Sequence, residues 1–336
     1  MSLSHSYHDE QARRSVGAIQ EIALPLRENG KRNRVGAASR LRINRVRRDE
    51  MKFGIIGAGI VGTALAVRLV EVGHECIGVH TRSRLSYERF RSYLNIGHLP
   101  LEELVPAVDI LFITTQDGMI RTVAENLTNV LVKPGQVWIH CSGSLPSEIL
   151  RVKESESIQC LSLHPLQAFA SVEKALTILS GTHFGIEGDN EELGEGIVKD
   201  LGGIPHHILA EKKTLYHAGA VVASNYLVVL ASLAVELFAE AGICGEEALA
   251  SLLPLMRGSL YNLEQVGLPQ ALTGPVARGD VQVVRGHLDH LPPKLVEIYQ
   301  CLGSKALELA ENKKNLQGLS YPQDELNALK LLLKPK

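Results

Sequence analysis

Three glycines crowd into six residues at Gly57-Ala58-Gly59-Ile60-Val61-Gly62, between the apolar run KFGII and the stretch IVGTALAVRLVEVG. Each spacing has a use. Gly57 permits a tight turn, Gly59 lets backbone approach a charged group, and Gly62 lets a helix lie close against a strand. The first turn of that helix presents unpaired N–H groups and a positive dipole end, which suit a pyrophosphate. Ala58, Ile60 and Val61 complete the expected cradle.

Some twenty residues on, HECIGVHTRSR reads as a second strand and its exit. A site for NAD puts Asp or Glu there, to bond the ribose 2′-hydroxyl. Here the exit carries Thr81, Arg82 and Ser83 instead. No carboxylate repels a 2′-phosphate, Arg82 can pair with one, and the two hydroxyls can donate to it. The expected cofactor is therefore NADP(H). Beyond the next strand, VDILFITT, lie Thr114, Thr115 and Asp117. Ligands of parallel sheets bind at such carboxyl ends. Asp117 also reads as a helix N-cap.

Three further places carry polar chemistry. Ser142-Gly143-Ser144 is a small-residue turn suited to close approach of a nicotinamide or a substrate, and Cys141 beside it reads as a packed thiol. On the apolar stretch from Glu211, His217 and Ser224 stand seven residues apart and so share a helical face, with Asn225 alongside. Such groups need partners, within the core or in a site lining. Arg278 in TGPVARGD can hold a carboxylate bidentately or pair with Asp280. Together these residues suggest hydride transfer from NADPH to a small carbonyl acid. His217 would be the general acid, Asn225 and Ser142 would orient the carbonyl, and Arg278 would hold the carboxylate. His206 and His207 alternate faces on a strand, and His287, Asp289 and His290 lack a clear third ligand, so no metal is expected.

The elements that must position these residues follow from periodicity. Apolar runs alternate with helical patterns to about residue 209, and the chain reads helical from there. The expected fold is an α/β Rossmann domain over 51–209, followed by an all-α C-terminal domain over 210–336 for substrate and dimerisation. Residues 1–50 hold ten Arg and one Lys against six acids and show no sustained periodicity. They read as a disordered basic extension, and a chain starting at Met51 is expected to fold and bind cofactor like the full one. With 45% hydrophobic residues, 21% charged residues and a net charge of −2, the 336-residue chain fits a soluble globular protein. That balance gives no reason to expect nucleic acid or membrane as a partner. The apolar run 218–242 is interrupted by Ser224, Asn225, Ser232 and Glu236, as in a core or interface helix. Five cysteines without a CxxC fit a reducing, cytoplasmic setting.

Taken together, the glycine turn, HTRSR, HCSGS, LHPLQAF, YHAGAVVASNYL and LTGPVARGD resemble a group of Rossmann-like proteins whose C-terminal half is known only as a domain of unknown function. The resemblance covers about residues 51–330. The group is similar in layout to the 6-phosphogluconate dehydrogenase-like reductases. These include ketopantoate reductase, pyrroline carboxylate reductase, prephenate dehydrogenase and deazaflavin-dependent NADP reductases. The resemblance implies a helical domain that often forms a homodimer interface, with substrate between the domains. It makes ketopantoate a candidate substrate, with imine reduction or hydride exchange with a deazaflavin as alternatives of the same layout. Related β-hydroxyacid dehydrogenases carry a Lys four residues before an Asn on the long helix. Asn225 matches the Asn, but Val221 stands in the Lys position. A non-enzymatic NADP(H) sensor is therefore the alternative of another class.

Overall fold

The computed structural model describes residues 50–152 and 157–335, so the expected basic extension lies outside the described residues except for Glu50. The chain opens with β1 (Lys52–Ile56), α1 (Ile60–Glu71), β2 (Glu75–His80), α2 (Arg84–Tyr93), α3 (Leu101–Ala107), β3 (Ile110–Ile113) and α4 (Asp117–Leu127). It continues through β4 (Val137–His140), a 3₁₀ turn at Ser147–Leu150, β5 (Gln159–Pro165), α5 (Val172–Ile178), β6 (His183–Gly188), α6 (Glu191–Asp200) and β7 (Ile204–His207). The strands form one sheet in the order β2-β1-β3-β4-β5-β6-β7. All neighbours run parallel except β5 and β6.

Burial on both faces explains the near-continuous apolar strands. Side chains alternate across the sheet, so each strand feeds two cores. Phe53, Ile55, Phe112, Val137, Ile139, Leu161 and Leu163 face one core with Leu65 and Leu69 of α1 and Ile197 of α6. Leu111, Ile113, Trp138 and Cys160 face the other with Leu104 of α3 and Ile120, Ala124 and Leu127 of α4. The sole tryptophan, Trp138, donates its indole N–H to Gln136 at 2.8 Å, and Gln136 donates to the carbonyls of Val105 and Val108. Helix α1 ends as its sequence indicates, with Gly73 at φ 104° and the His74 N–H returning to Leu69.

From Lys213 the chain is helical: α7 (Lys213–Ala223), α8 (Asn225–Glu240), α9 (Gly245–Val266), α10 (Pro275–Arg278), α11 (Val281–His290), α12 (Pro293–Leu316) and α13 (Gln323–Leu332). The fold is thus α/β Rossmann-like followed by all-α. A small core gathers Val276, Val284, Leu307, Ala310, Tyr321, Leu329 and Leu333 from the last four helices and the link before α13. The single long helix expected from Glu211 is broken at Ser224, between α7 and α8. Ser224 Oγ donates to the Ala220 carbonyl at 2.9 Å, and such back-bonding bends helices. The run Ala210–Glu240 is apolar and long enough, by length and composition, to cross a membrane, and its most apolar window is not buried within the chain. Two short helices, α3 and α5, went unanticipated because seven residues give too little periodicity.

Candidate functional site

The carboxyl end of β1 turns at Gly57, where φ is 99°. A Cβ there would lie 2.9 Å from the Thr114 carbonyl, so only glycine fits without strain. Thr114 secures the approach: its Oγ1 donates to the Gly57 carbonyl at 2.6 Å and its N–H to Ile56 at 2.8 Å. Helix α1 starts at Ile60, with Val61 and Gly62 in its first turn and no acidic side chain there. That leaves backbone N–H groups free for an anion. Arg89, which the sequence reading did not single out, donates to the Ala58 carbonyl at 2.8 Å and brings a cation to the loop.

A cavity of about 410 Å³ opens along this edge, where strand order reverses between β1 and β3. Gly57, Ala58, Gly59, Thr81, Arg82, Ser83, Thr114 and Thr115 line it, and Leu101, Met119, Val123 and Asn126 supply an apolar wall with one amide. Thr115 Oγ1 is shut off from solvent without a hydrogen-bond partner among the described residues. Ser83 caps α2 by accepting from Ser86 at 3.2 Å, while the Arg82 side chain is exposed at the rim. The cavity and the glycine cradle together fit a dinucleotide.

Asp117 is placed differently from the expectation. Gln116 is the N-cap of α4, and Asp117 Oδ2 accepts from Ser142 Oγ at 2.7 Å and Ser144 Oγ at 3.1 Å. Ser142 is only 4% exposed, and its Oγ also accepts from the N–H groups of Ser144 and Leu145. The structure therefore commits Ser142 to shaping the turn. Burial pushes the neighbouring Cys141 thiol up to about 12, which suits packing rather than nucleophilic attack.

The helical region meets this turn through α7. Lys213, its first residue, is 1% exposed. Its ammonium donates to the Ser142 carbonyl at 3.1 Å and to Ser162 Oγ, with a Glu187 carboxylate oxygen 3.9 Å away. Glu187 is itself fixed by the Ser147 N–H at 2.8 Å and Ser147 Oγ at 2.7 Å. Burial pulls the Lys213 ammonium down to about 8, against the attraction of Glu187. One helical turn later, His217 lies against Gly143. Lys213 was missed because it sits beside Lys212 in a charged-looking start; its i, i+4 spacing from His217 was the available signal. It lies about two turns before Val221, the position where the sequence comparison sought a lysine.

Asn225 and Arg278 are not joined to this cluster by any hydrogen bond or ion pair among the described residues. Asn225 begins α8 and accepts from Ser224 Oγ, and Arg278 forms an exposed pair with Asp280 at 2.8 Å. Helix α10, which carries Arg278, packs on α11 and α12.

Comparison with known proteins places both halves. Residues 37–165 match a Rossmann-like domain, and residues 182–306 match a domain of unknown function, DUF2520. This is a Rossmann-like chain with a DUF2520 C-terminal domain. Among solved structures it is similar to a protein from Thermotoga maritima, with 29% identity and a TM-score of 0.62 over 78% of this chain and 99% of that one. It is also similar to a candidate NADP oxidoreductase from Bacteroides fragilis, at 22% identity and a TM-score of 0.61 over 77% and 98% of the two chains. A glycerol-3-phosphate dehydrogenase [NAD(P)+] from Bacillus subtilis is 28% identical over 145 residues. That match covers 39% of each chain, so this Rossmann-like DUF2520 chain spans well under half of the curated relative it matches.

The buried Lys213 carries a stability signature. Its folded pKa lies below the ordinary value, so burying the charge costs stability below pH 8, and the cost is relieved as pH rises toward 10.5. Lys213→Met removes this dependence. In urea titrations near pH 7 and pH 10, wild type should gain on the variant by roughly 2–3 kcal/mol. A difference that stays constant between the two conditions would contradict a buried, titrating ammonium.

Proposed function

We propose that this chain is an NADPH-dependent oxidoreductase that reduces a small 2-keto acid, with ketopantoate as the first candidate. The observation that carries the reading is the anion cradle of α1 running into a rim of Thr81, Arg82 and Ser83 with no carboxylate. Gly57, Ala58, Gly59 and the first turn at Ile60, Val61 and Gly62 hold the pyrophosphate, and Arg82 with its two hydroxyl neighbours holds the 2′-phosphate. Thr114 and Thr115 flank the ring end, beside the turn that Asp117 braces. When bound, the cofactor supplies the hydride.

The chain's own residues handle orientation and the proton. Gly143 gives backbone access at the turn, and His217 delivers a proton to the developing alkoxide. Asn225 is assigned to the carbonyl and Arg278 to the substrate carboxylate, with Ser142 acting on the carbonyl through the turn it shapes. Because Asn225 and Arg278 make no hydrogen bond or ion pair with the His217 cluster among the described residues, we assign them to a site completed by a second copy.

A homodimer is supported by the helical half. No residue of α8 is buried, and Val228 is 71% exposed, as is Leu255 of the neighbouring α9 at 67%. Such a broad apolar face calls for a partner. A second copy is favoured over a membrane because the same helical run begins at Lys213, which is locked into the sheet. We place the division between the halves at 209/210, just past β7, although the DUF2520 match begins within the sheet at residue 182. The five free thiols accord with a cytoplasmic setting.

NADPH oxidation across a panel of 2-keto acids tests the reading, and His217→Gln should lower turnover at least tenfold with NADPH affinity kept. Unchanged turnover removes His217 from the mechanism. Arg82→Ala should weaken NADPH binding by roughly tenfold or more and leave NADH binding nearly unchanged. Equal losses for both would contradict the assigned 2′-phosphate contact. Light scattering should report a dimer for wild type and a monomer for Val228→Glu; a monomeric wild type would contradict the proposed interface.

A further inference from the structure

Two imidazoles press on the turn at Gly143, and only His217 has been given a role. A Cβ at residue 143 would lie 2.6 Å from His217 Nδ1 and 2.8 Å from His164 Nε2, so both nitrogens face one point. The rings meet edge to face with centroids 5.9 Å apart. His217 Nδ1 is shut off from solvent and has no hydrogen-bond partner among the described residues, a costly state for a buried nitrogen. The other nitrogen of His164, Nδ1, lies 3.1 Å from Tyr216 Oη.

We propose that His164 and Tyr216 are positioning residues for His217. The Tyr216 oxygen accepts from His164 Nδ1–H, which leaves His164 Nε2 free to accept from His217 Nδ1–H, a bond that a small closing of the two rings forms and that is open in this structure. His217 then presents Nε2 to the substrate. The proposal rests on the reading of His217 as general acid.

The electrostatics support the arrangement. Burial, followed by the positive charge of Lys213 and then His217, pushes His164 down to about 4, so it stays neutral and able to accept. Burial raises Tyr216 to about 12, so its hydroxyl stays intact. Lys213 faces the pair from α7, Asp117 from α4 and His140 from β4, and burial likewise lowers His140 to about 4. Asp117 opposes the downward shift of His164 but does not outweigh it.

As the alkoxide forms, the His217 imidazolium breaks its Nε2–H bond and a substrate O–H bond forms. His217 is left neutral with its remaining proton on Nδ1, held toward His164, and later takes a proton from water. His164 and Tyr216 neither gain nor lose one. In the reverse direction, neutral His217 Nε2 accepts the proton. A neutral histidine thus fixes the tautomer of the working one, as a carboxylate does in other acid–base pairs.

The test is nitrogen NMR of the full chain carrying ¹⁵N-histidine, with and without NADPH, between about pH 5 and pH 9. The expected pattern is a His164 that does not titrate and carries its proton on Nδ1, and a neutral His217 that also carries its proton on Nδ1. Tyr216→Phe should release His164 into a mixture of tautomers. His164→Leu should move the neutral His217 proton to Nε2, and His164→Gln, whose side-chain oxygen can accept, should keep it on Nδ1. A neutral His217 protonated on Nε2 in wild type overturns the proposal, as does a His217 unaltered by His164→Leu. If His164→Leu fails to fold, the wild-type pattern and His164→Gln still decide. Failure of wild type to bind NADPH would overturn the functional reading and leave the tautomer pattern to be judged separately.

Discussion

A buried ammonium holds this molecule's two halves in register. Lys213 opens the helical region yet spends its charge inside the sheet edge, on the Ser142 carbonyl and the Ser162 hydroxyl. Removing a cation from water costs several kcal/mol unless it is paired and hydrogen-bonded. Here Glu187 supplies the opposite charge at 3.9 Å, and Ser147 fixes Glu187 in turn. With its end anchored, the first turn of α7 has no freedom to slide. His217, four residues later, is therefore delivered to Gly143 by helix geometry.

The cofactor half obeys a second constraint, backbone proximity. Gly57, Thr114 and the start of α1 crowd so closely that a side chain at residue 57 would strike a carbonyl. That crowding lies where strand order reverses, at the N-terminal turn of α1 whose first N–H groups have no partner within the helix. The turn after β4 joins the two constraints. The Ser142 and Ser144 hydroxyls are braced by Asp117 at the start of α4, and the Ser142 carbonyl is gripped by Lys213 at the start of α7. Anything bound in the cavity with its reactive end toward this turn would find His217 close by.

Much of this was legible in the sequence where local rules dominate. The glycine spacing announced the cradle, and the polar, carboxylate-free exit of β2 announced the rim. The apolar strands gave the sheet, because strands buried on both faces carry long apolar runs. Interactions between distant segments were not legible. Asp117 looked like a helix cap because its partners, Ser142 and Ser144, lie about 25 residues away. Ser142 looked free to touch substrate because nothing local reveals that its hydroxyl is already committed. Lys213 gave no local signal of burial, since only the fold brings Glu187 and Ser162 to meet it. The bend at Ser224 was hidden by apolar residues that continue the helical pattern across it. Asn225 and Arg278 were grouped with His217 by chemistry, and no hydrogen bond or ion pair among the described residues joins them to it.

In the proposed complex, NADPH lies in the cavity with its nicotinamide end at the Ser142–Ser144 turn. Trp138, the sole tryptophan, sits buried in β4 two residues before His140 and close to that turn. Its emission overlaps the absorption of the reduced nicotinamide ring. A titration of the full chain that follows energy transfer from Trp138 tests the claim directly. The account predicts saturable quenching of Trp138 with matching sensitised emission from NADPH, at lower concentrations than NADH requires. No transfer at saturating NADPH, or transfer that favours NADH, would contradict it.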